Sequence, residues 1–384
     1  MDSELEKLST NFEDENSLHQ LDFQPTNEGN PVLSASLKTA VELDQRDAKG
    51  KRVEILKSLK EREIQGFPVI VRSPKDERSS QKEIETLRKW NDTGLGYIPL
   101  QGDTMKVDLD TFKLTNKIIG EEFERLGLPA YKPLDVNRIH FIGNKLPWVQ
   151  RNFNPVSSGN YVSKQQAVYV RKFEVGIMKA LSWIPAVKRY SQMLDAKSIL
   201  HESIHAAGHR KFVSAGDAGE PEEYRVGYSL KRNLGEELKM VGFNEAVVQT
   251  LTIELMKRNR AKFEGVLGFG VSDRIIEEMD GYEKYRKILD QIINKVAERK
   301  SLSPDVVKDE IYRGHFTGEM MHLRGIEEVF GKDSLEILSL LHDQNDRKLL
   351  KKKNELVKRY FFADSSIERE KIKQKLVKQG ILKG

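Results

Sequence analysis

The sequence predicts an α+β chain, with a small sheet beside two buried helices and a helical C-terminal subdomain after them. Three observations predict this. The stretch Leu200-His201-Glu202-Ser203-Ile204-His205-Ala206-Ala207-Gly208 reads as a helix, opened near Asp195 and stopped at Gly208. Two short runs ahead of it, 138–142 and 166–170, are rich in β-branched and aromatic residues and read as strands. Beyond residue 283, apolar side chains recur at helical spacing: Tyr285, Ile288, Leu289, Ile292, Ile293 and Val296, then Leu323, Ile326, Val329 and Phe330, then 335–341.

The helix at His201 carries the chemistry. Its motif is H-E-x-x-H. Positions i and i+4 share a helix face, so His201 and His205 project together and can hold one metal ion. Glu202 stands beside that face, where a carboxylate reaches a water at the metal and acts as a general base. The competing expectation is a surface helix with two exposed histidines. A catalytic zinc site needs a third protein ligand. Continuation to H-x-x-G-x-x-H would supply a histidine, but position 211 is Lys211, and His209 arrives two residues early. A glutamate on a following helix is the other route. Gly242-Phe243-Asn244-Glu245-Ala246-Val247-Val248-Gln249 fits it, with Asn244 as N-cap and Glu245 at the helix start.

H-E-x-x-H followed by a helix opening Asn244-Glu245-Ala246 resembles the gluzincin class of zinc metallopeptidases. The resemblance covers residues 135–260 in architecture and about ten residues in motif. It implies a zincin-like core with Zn2+ held by His201, His205 and Glu245. It also implies peptide-bond hydrolysis by a water that Glu202 activates at the zinc. In that class an edge strand beside the metal helix holds the substrate backbone as an added strand. A helical subdomain closes one side of the cleft. A donor must also stabilise the tetrahedral oxyanion; the candidates are His209, Tyr228, Tyr312 and His315.

Composition bounds the rest. Across 384 residues, 32% are charged and 38% hydrophobic, and no cysteine is present. A disulfide framework and thiolate metal ligands are therefore excluded. The longest apolar neighbourhood, 175–194, is broken by Lys179, Pro185, Lys188 and Arg189 and is not a bilayer span. The N-terminus lacks the charged start and apolar core of an export signal. These features suggest a cytoplasmic protein. Net charge is +5, unevenly spread. Residues 346–384 hold thirteen Lys and Arg against five Asp and Glu, and residues 1–45 hold ten acidic against two basic residues.

In chain order, residues 1–50 read as a disordered acidic leader. Residues 51–93 form a mixed segment: an amphipathic helix over 51–64, a strand at 67–71 with Pro68 at its start or on an edge, and a charged helix over 80–90. Asn91 to Gly96 marks a break. The zincin-like domain then runs over 94–345, with sheet and metal helices in 135–260 and the helical subdomain in 261–345. Asp110 is expected to cap a helix through Phe112, Ile119, Phe123 and Leu126, ended by Gly127. Ser158-Gly159-Asn160 reads as a turn, 214–221 as a loop and 224–228 as a short strand. Ser303-Pro304-Asp305 reads as a helix start. Residues 346–384 read as a solvated basic helix or flexible tail outside the core. The tail is also a possible contact for a polyanion or partner protein. The alternative to an enzyme is a non-catalytic zinc-containing binding protein that works through this tail.

Overall fold

The computed structural model describes residues 60–64, 67–71, 103–142, 159–162, 167–171, 184–213, 222–231, 238–278, 282–341 and 347–382. The leader, residues 51–59, the 80–90 helix, the break at 91–96 and the loop at 214–221 lie outside them. The architecture is α+β, mostly helical, with two small sheets. One sheet has six strands in the order β1 (Lys60–Ile64), β2 (Phe67–Val71), β6 (Arg210–Val213), β7 (Glu222–Val226), β8 (Ser229–Lys231) and β9 (Leu238–Lys239). The other has β3 (Ile139–Ile142), β5 (Ala167–Arg171) and β4 (Gly159–Val162), with β4 on an edge among the described residues.

Strands 138–142 and 166–170 form as expected and pair in parallel, His140 opposite Tyr169. Two expectations nearby are corrected. Residues 60–64, assigned above to a helix, form β1 and pair antiparallel with β2. Strand pairing there overrides the weak helical pattern. Pro68, expected at the strand's start or on an edge, is the second residue of β2, an inner strand among the described residues; it stands opposite Glu63 of β1, and the parallel pairing with β6 begins only after it, at Val69. Gly159-Asn160, expected as a turn, is the start of β4 and pairs antiparallel with β5.

Helix α1 (Asp103–Arg125) begins seven residues before Asp110, which lies inside it; Gly127 ends it at φ +68°. Helix α2 (Pro185–Ala207) carries the H-E-x-x-H motif and begins at Pro185, ten residues earlier than Asp195. Proline suits that first position, where its absent N–H would have no intrahelical partner. Helix α3 (Val241–Arg258) starts ahead of Asn244, so Asn244 is not the cap; its N–H already bonds Met240 O inside the helix. Helices α4 (Arg260–Leu267), α5 (Asp273–Glu278), α6 (Glu283–Lys300) and α7 (Pro304–Thr317) follow. Ser303 caps α7 as the sequence predicts, its Oγ accepting from Val306 N at 3.4 Å. Helices α8 (Arg324–Phe330) and α9 (Ser334–Ser339) match the last two predicted apolar runs.

The three-stranded sheet packs on α2 and α1. Ile139, Phe141, Val168 and Val170 form one buried cluster with Ile199 and Ala206 of α2 and Phe112 of α1. The main core joins the rest of α2 to α3, α6, α7 and the C-terminal helices. Arg125 ties α1 to α7 by pairing with both Glu122 and Asp309.

The basic tail requires the largest correction. Helices α10 (Arg347–Phe362) and α11 (Ser366–Lys378) belong to the main core. Leu356, Val357, Tyr360 and Phe361 of α10 and Ile372 and Leu376 of α11 are buried in it. Tyr360 Oη donates to Phe330 O at 2.6 Å, and the Phe361 and Phe330 rings meet edge to face at 5.0 Å. Among the described residues no helix is long and apolar enough to cross a membrane.

This packing predicts that the tail stabilises the body. Phe361→Ala should lower the unfolding free energy by about 3–5 kcal/mol, the usual cost of emptying a buried aromatic site. Chemical denaturation would show this as a lower midpoint; an unchanged midpoint would return the tail to solvent.

Candidate metal centre

Three sides of α2 are committed to different neighbours. Ile199 and Ala206, two turns apart, face the three-stranded sheet. Leu200 and Ile204, one turn apart, face the main core. His201 and His205 take the remaining side, with Glu202 between them and the sheet.

Helix α3 brings Glu245 to the same point. The Nε2 atoms of His201 and His205 are 3.2 Å apart. Glu245 Oε2 lies 3.3 Å from the first, and Glu245 Oε1 lies 3.4 Å from the second. Among the described residues, this is where a group of His, Cys, Asp or Glu converges as metal donors would, with one ligand atom from each residue within 4.8 Å of the others. Burial opposes the charge on Glu245, but the facing imidazoles, His205 foremost, outweigh it and hold the carboxyl well below the usual carboxylate range.

Glu202 meets a different environment, beneath β4. A Cβ on Gly159 would stand 2.7 Å from Glu202 Cγ, so the close approach of this strand requires glycine. The Tyr161 N–H of the same strand donates to the Glu202 carboxyl. Burial pushes the Glu202 pKa up to about 7; His205 opposes the rise, the charge on Glu245 adds to it, and the Tyr161 N–H opposes it.

A buried polar layer lies behind His205. The Tyr228 N–H donates to Asn244 Oδ1 at 2.9 Å, which fixes the amide's orientation. Asn244 Nδ2 then faces His205 Nδ1 at 3.4 Å, and His315 Nδ1 lies 3.2 Å from Asn244 Oδ1. The other His315 nitrogen faces Ile204 O at 3.3 Å, so this ring bridges α3 and α2. Two glycines make room for it. A Cβ on Gly208 would stand 2.8 Å from His315 Nε2, and one on Gly227 2.6 Å from His315 Nδ1.

The four expected oxyanion donors have the following surroundings. Tyr228 Oη donates to Ile311 O at 2.7 Å and lies 2.6 Å from His322 Nε2. Tyr312 Oη donates to Glu254 at 3.0 Å. The His209 ring packs over Gly318. His315 sits in the layer behind His205. The sequence reading missed Tyr282, the N-cap residue of α6. Its ring lies nearly parallel to that of His201, at 3° and 5.9 Å between centroids, and its hydroxyl hydrogen-bonds Glu245. The charge on Glu245, then burial, then the charge on Glu202 raise its pKa. No motif marks Tyr282; its only signal is its place just ahead of the α6 apolar stripe.

Comparison with family models, curated proteins and solved structures finds no match.

Two outcomes follow from the polar layer. Asn244→Ala removes the amide that faces His205 Nδ1 and should weaken, by about 10–100-fold in a competitive chelator titration, the affinity for whatever divalent ion His201, His205 and Glu245 hold. His315 is fully buried, and burial foremost lowers its pKa from 6.5 to about 3. Between those values the unfolded chain binds a proton that the folded chain excludes. Its stabilising contribution is therefore complete above about pH 6.5 and declines as pH falls towards 3. His315→Gln should reduce the slope of unfolding free energy against pH in this window by up to ~1.4 kcal/mol per unit. Denaturant titrations at several pH values check this, and an unchanged slope would place a charged imidazole in the fold.

Proposed function

We propose that this chain is a zinc metallopeptidase of gluzincin type, built on a zincin-like core and acting in the cytoplasm on peptide or protein substrates. One observation carries the reading: the spacing of the His201, His205 and Glu245 donors. Tetrahedral ligands at ~2.0–2.1 Å from zinc stand ~3.3 Å apart. The donors here lie 3.2, 3.3 and 3.4 Å from one another, with two nitrogens and a carboxylate as the donor set. The residues fit the ion.

A bound zinc ion supplies Lewis acidity, lowering the pKa of a water towards ~7 and polarising a carbonyl. The remaining steps belong to the chain. Glu202 accepts the proton of the attacking water and returns it to the leaving nitrogen. Burial, which disfavours its charged form, makes this carboxylate a better proton acceptor than a solvated one. Strand β4 is an edge among the described residues and lies directly over Glu202. An extended peptide added to that edge would bring its backbone to the base, giving affinity through main-chain hydrogen bonds.

The competing reading keeps the metal and drops the chemistry, leaving a binding protein whose basic C-terminal helices contact a polyanion or partner. A metal that only holds a fold takes four protein ligands. The described residues gather three, beside a buried carboxylate that zinc does not require. That arrangement favours the enzyme.

Protein purified without chelator should carry about one zinc per chain, consistent with a three-ligand site. His201→Ala and Glu245→Ala should abolish it. Glu202→Gln should retain zinc while hydrolysis of a peptide library falls at least ~10²-fold. Unchanged metal content in the ligand variants would remove the site. A zinc-loaded wild type that cleaves nothing would favour the binding protein.

A further inference from the structure

We infer that the substrates of this site are acidic polypeptides, recruited by a basic surface at one end of the C-terminal helix pair. The inference rests on the metallopeptidase reading and names the substrate class of the same site. It starts from how charge is divided between α10 and α11. The first two turns of α10, Arg347 to Lys353, hold five basic residues and no acid. Residues 371–384 hold five lysines and no acid. Between these segments, residues 354–370 are close to balanced: Lys358, Arg359 and Arg369 stand against Glu355, Asp364, Glu368 and Glu370. The fold brings the two basic segments together. Only residues 363–365 separate α10 from α11, and the two helices pack on one another. Phe361, just before the link, and Arg369, just after it, both contact the Phe330 ring. The chain therefore reverses at the link. The start of α10 and the end of α11 share the far end of the pair, ~15 Å from the link at ~1.5 Å per residue. Counting Asp343 and Asp346, which precede α10, that end has ten Lys and Arg against two Asp.

Lys371, Lys375 and Lys378, at i, i+4 and i+7, stand on one exposed face of α11. Lys373 instead pairs with Asp333 at 2.6 Å and serves the fold. The basic end lies towards the candidate metal centre. Asn354, next to Lys353, donates to Tyr285 Oη in the first turn of α6. The Tyr285 ring adjoins that of Tyr282, which lies over His201. The same part of α6 adds Lys284, Arg286 and Lys287 against Glu283, which Lys287 pairs at 2.6 Å. Positive charge thus continues from the helix pair towards the cluster, and such a field draws anionic partners to it. An acidic polypeptide is the anion that fits. Nine of the ten basic residues are lysines, point charges suited to scattered carboxylates, where bidentate phosphate recognition favours arginine. The exposed large apolar side chains of this helix pair, Phe362 and Ile367, sit beside the link at the opposite end. Among the described residues, the basic end therefore offers neither an aromatic for base stacking nor an apolar wedge for lipid. A chain whose carboxylates rest on this surface has its neighbouring segment delivered to His201, His205 and Glu245.

The test uses the full-length zinc-loaded protein and paired peptides, each with a Glu-rich stretch or with Gln in its place. Wild type should favour the Glu version at least ~10-fold in kcat/KM, the lower scale of electrostatic steering. The preference should vanish as salt rises towards ~1 M, where the screening length falls to ~3 Å. Lys371→Glu, Lys375→Glu and Lys378→Glu combined should bring the ratio to about one, with zinc content reporting an intact fold. Gln at the same three positions, which adds no charge beside Glu368 and Glu370, should give an intermediate ratio, and Arg should keep the wild-type ratio. A wild-type ratio near one, or a ratio that the reversal leaves unchanged, would overturn the inference. So would a single-stranded oligonucleotide or a phosphatidylserine vesicle that, at equal charge, displaces a labelled Glu peptide better than the unlabelled Glu peptide does. If wild type cleaves no peptide, the peptidase reading fails by itself. Fluorescence anisotropy of the labelled peptides then decides alone: tighter binding of the Glu version, lost on reversal, keeps the surface as a dock for acidic polypeptides, and equal binding of the two versions removes it.

Discussion

Two imidazole nitrogens 3.2 Å apart, with a carboxylate astride them, set the relation of α2 to α3. These helices must cross with His201, His205 and Glu245 at one point, and the chain between Gly208 and Met240 must close the gap. The described residues of that connection are largely strands. β6 leaves α2 directly, pairs antiparallel with β7, and β7, β8 and β9 continue as an antiparallel ladder to α3. Two residues take left-handed backbone to make the return: Gly227 at φ +54° and Met240 at φ +58°. Met240 tolerates this costly conformation because its side chain is buried in the main core, where packing offsets the strain.

The same crossing forces polar atoms into the interior. His205 reaches Glu245 from a helix whose other sides are packed, so its second nitrogen faces inward. Asn244 and His315 occupy that inner space, and small residues surround them. Gly208 shows how this works. The helix ends there, yet its φ is −66°, a value any residue can adopt. What position 208 cannot accept is a Cβ, which would collide with the His315 ring. Gly314 is equally confined: a Cβ there would stand 2.3 Å from Tyr228 Oη. Gly208 and Gly314 provide volume for polar rings, Gly227 provides both volume and its left-handed backbone, and a histidine held neutral by burial follows from the enclosure.

Legibility in the sequence followed the range of the interactions. His201, Glu202 and His205 lie on one helix at fixed spacing, so local periodicity revealed them. Glu245 was legible because a helical pattern follows it, although α3 starts three residues before the expected cap at Asn244. The amide of Asn244 is used across the fold, on Tyr228 and His315, and no local pattern encodes that. Gly159 and Asn160 carry turn chemistry, yet they form an edge strand because Gly159 must pass over Glu202. Tyr282 was invisible for the same reason: its partner, His201, is eighty-one positions away in the sequence. Composition misled most at the C-terminus. Thirteen basic residues within 346–384 suggest a solvated tail, but charge averaged over a window conceals a face. Leu356, Val357, Tyr360 and Phe361 recur at helical spacing and are all buried.

That buried face connects the C-terminal helices to the His201, His205 and Glu245 cluster. Helix α10 packs on α6, and Asn354 Nδ2 donates to Tyr285 Oη at 3.2 Å. Tyr285 lies one turn along α6 from Tyr282, with their rings 6.0 Å apart. The Tyr282 ring in turn lies over His201. Each contact in this series joins packed side chains on regular elements, and the interior of a protein transmits displacement because it has few voids to absorb it. Helix α6 is thus packed against α3, α7, α8 and, from the C-terminal pair, α10. The C-terminal helices consequently act on the candidate site through packing, whatever their exposed lysines contact.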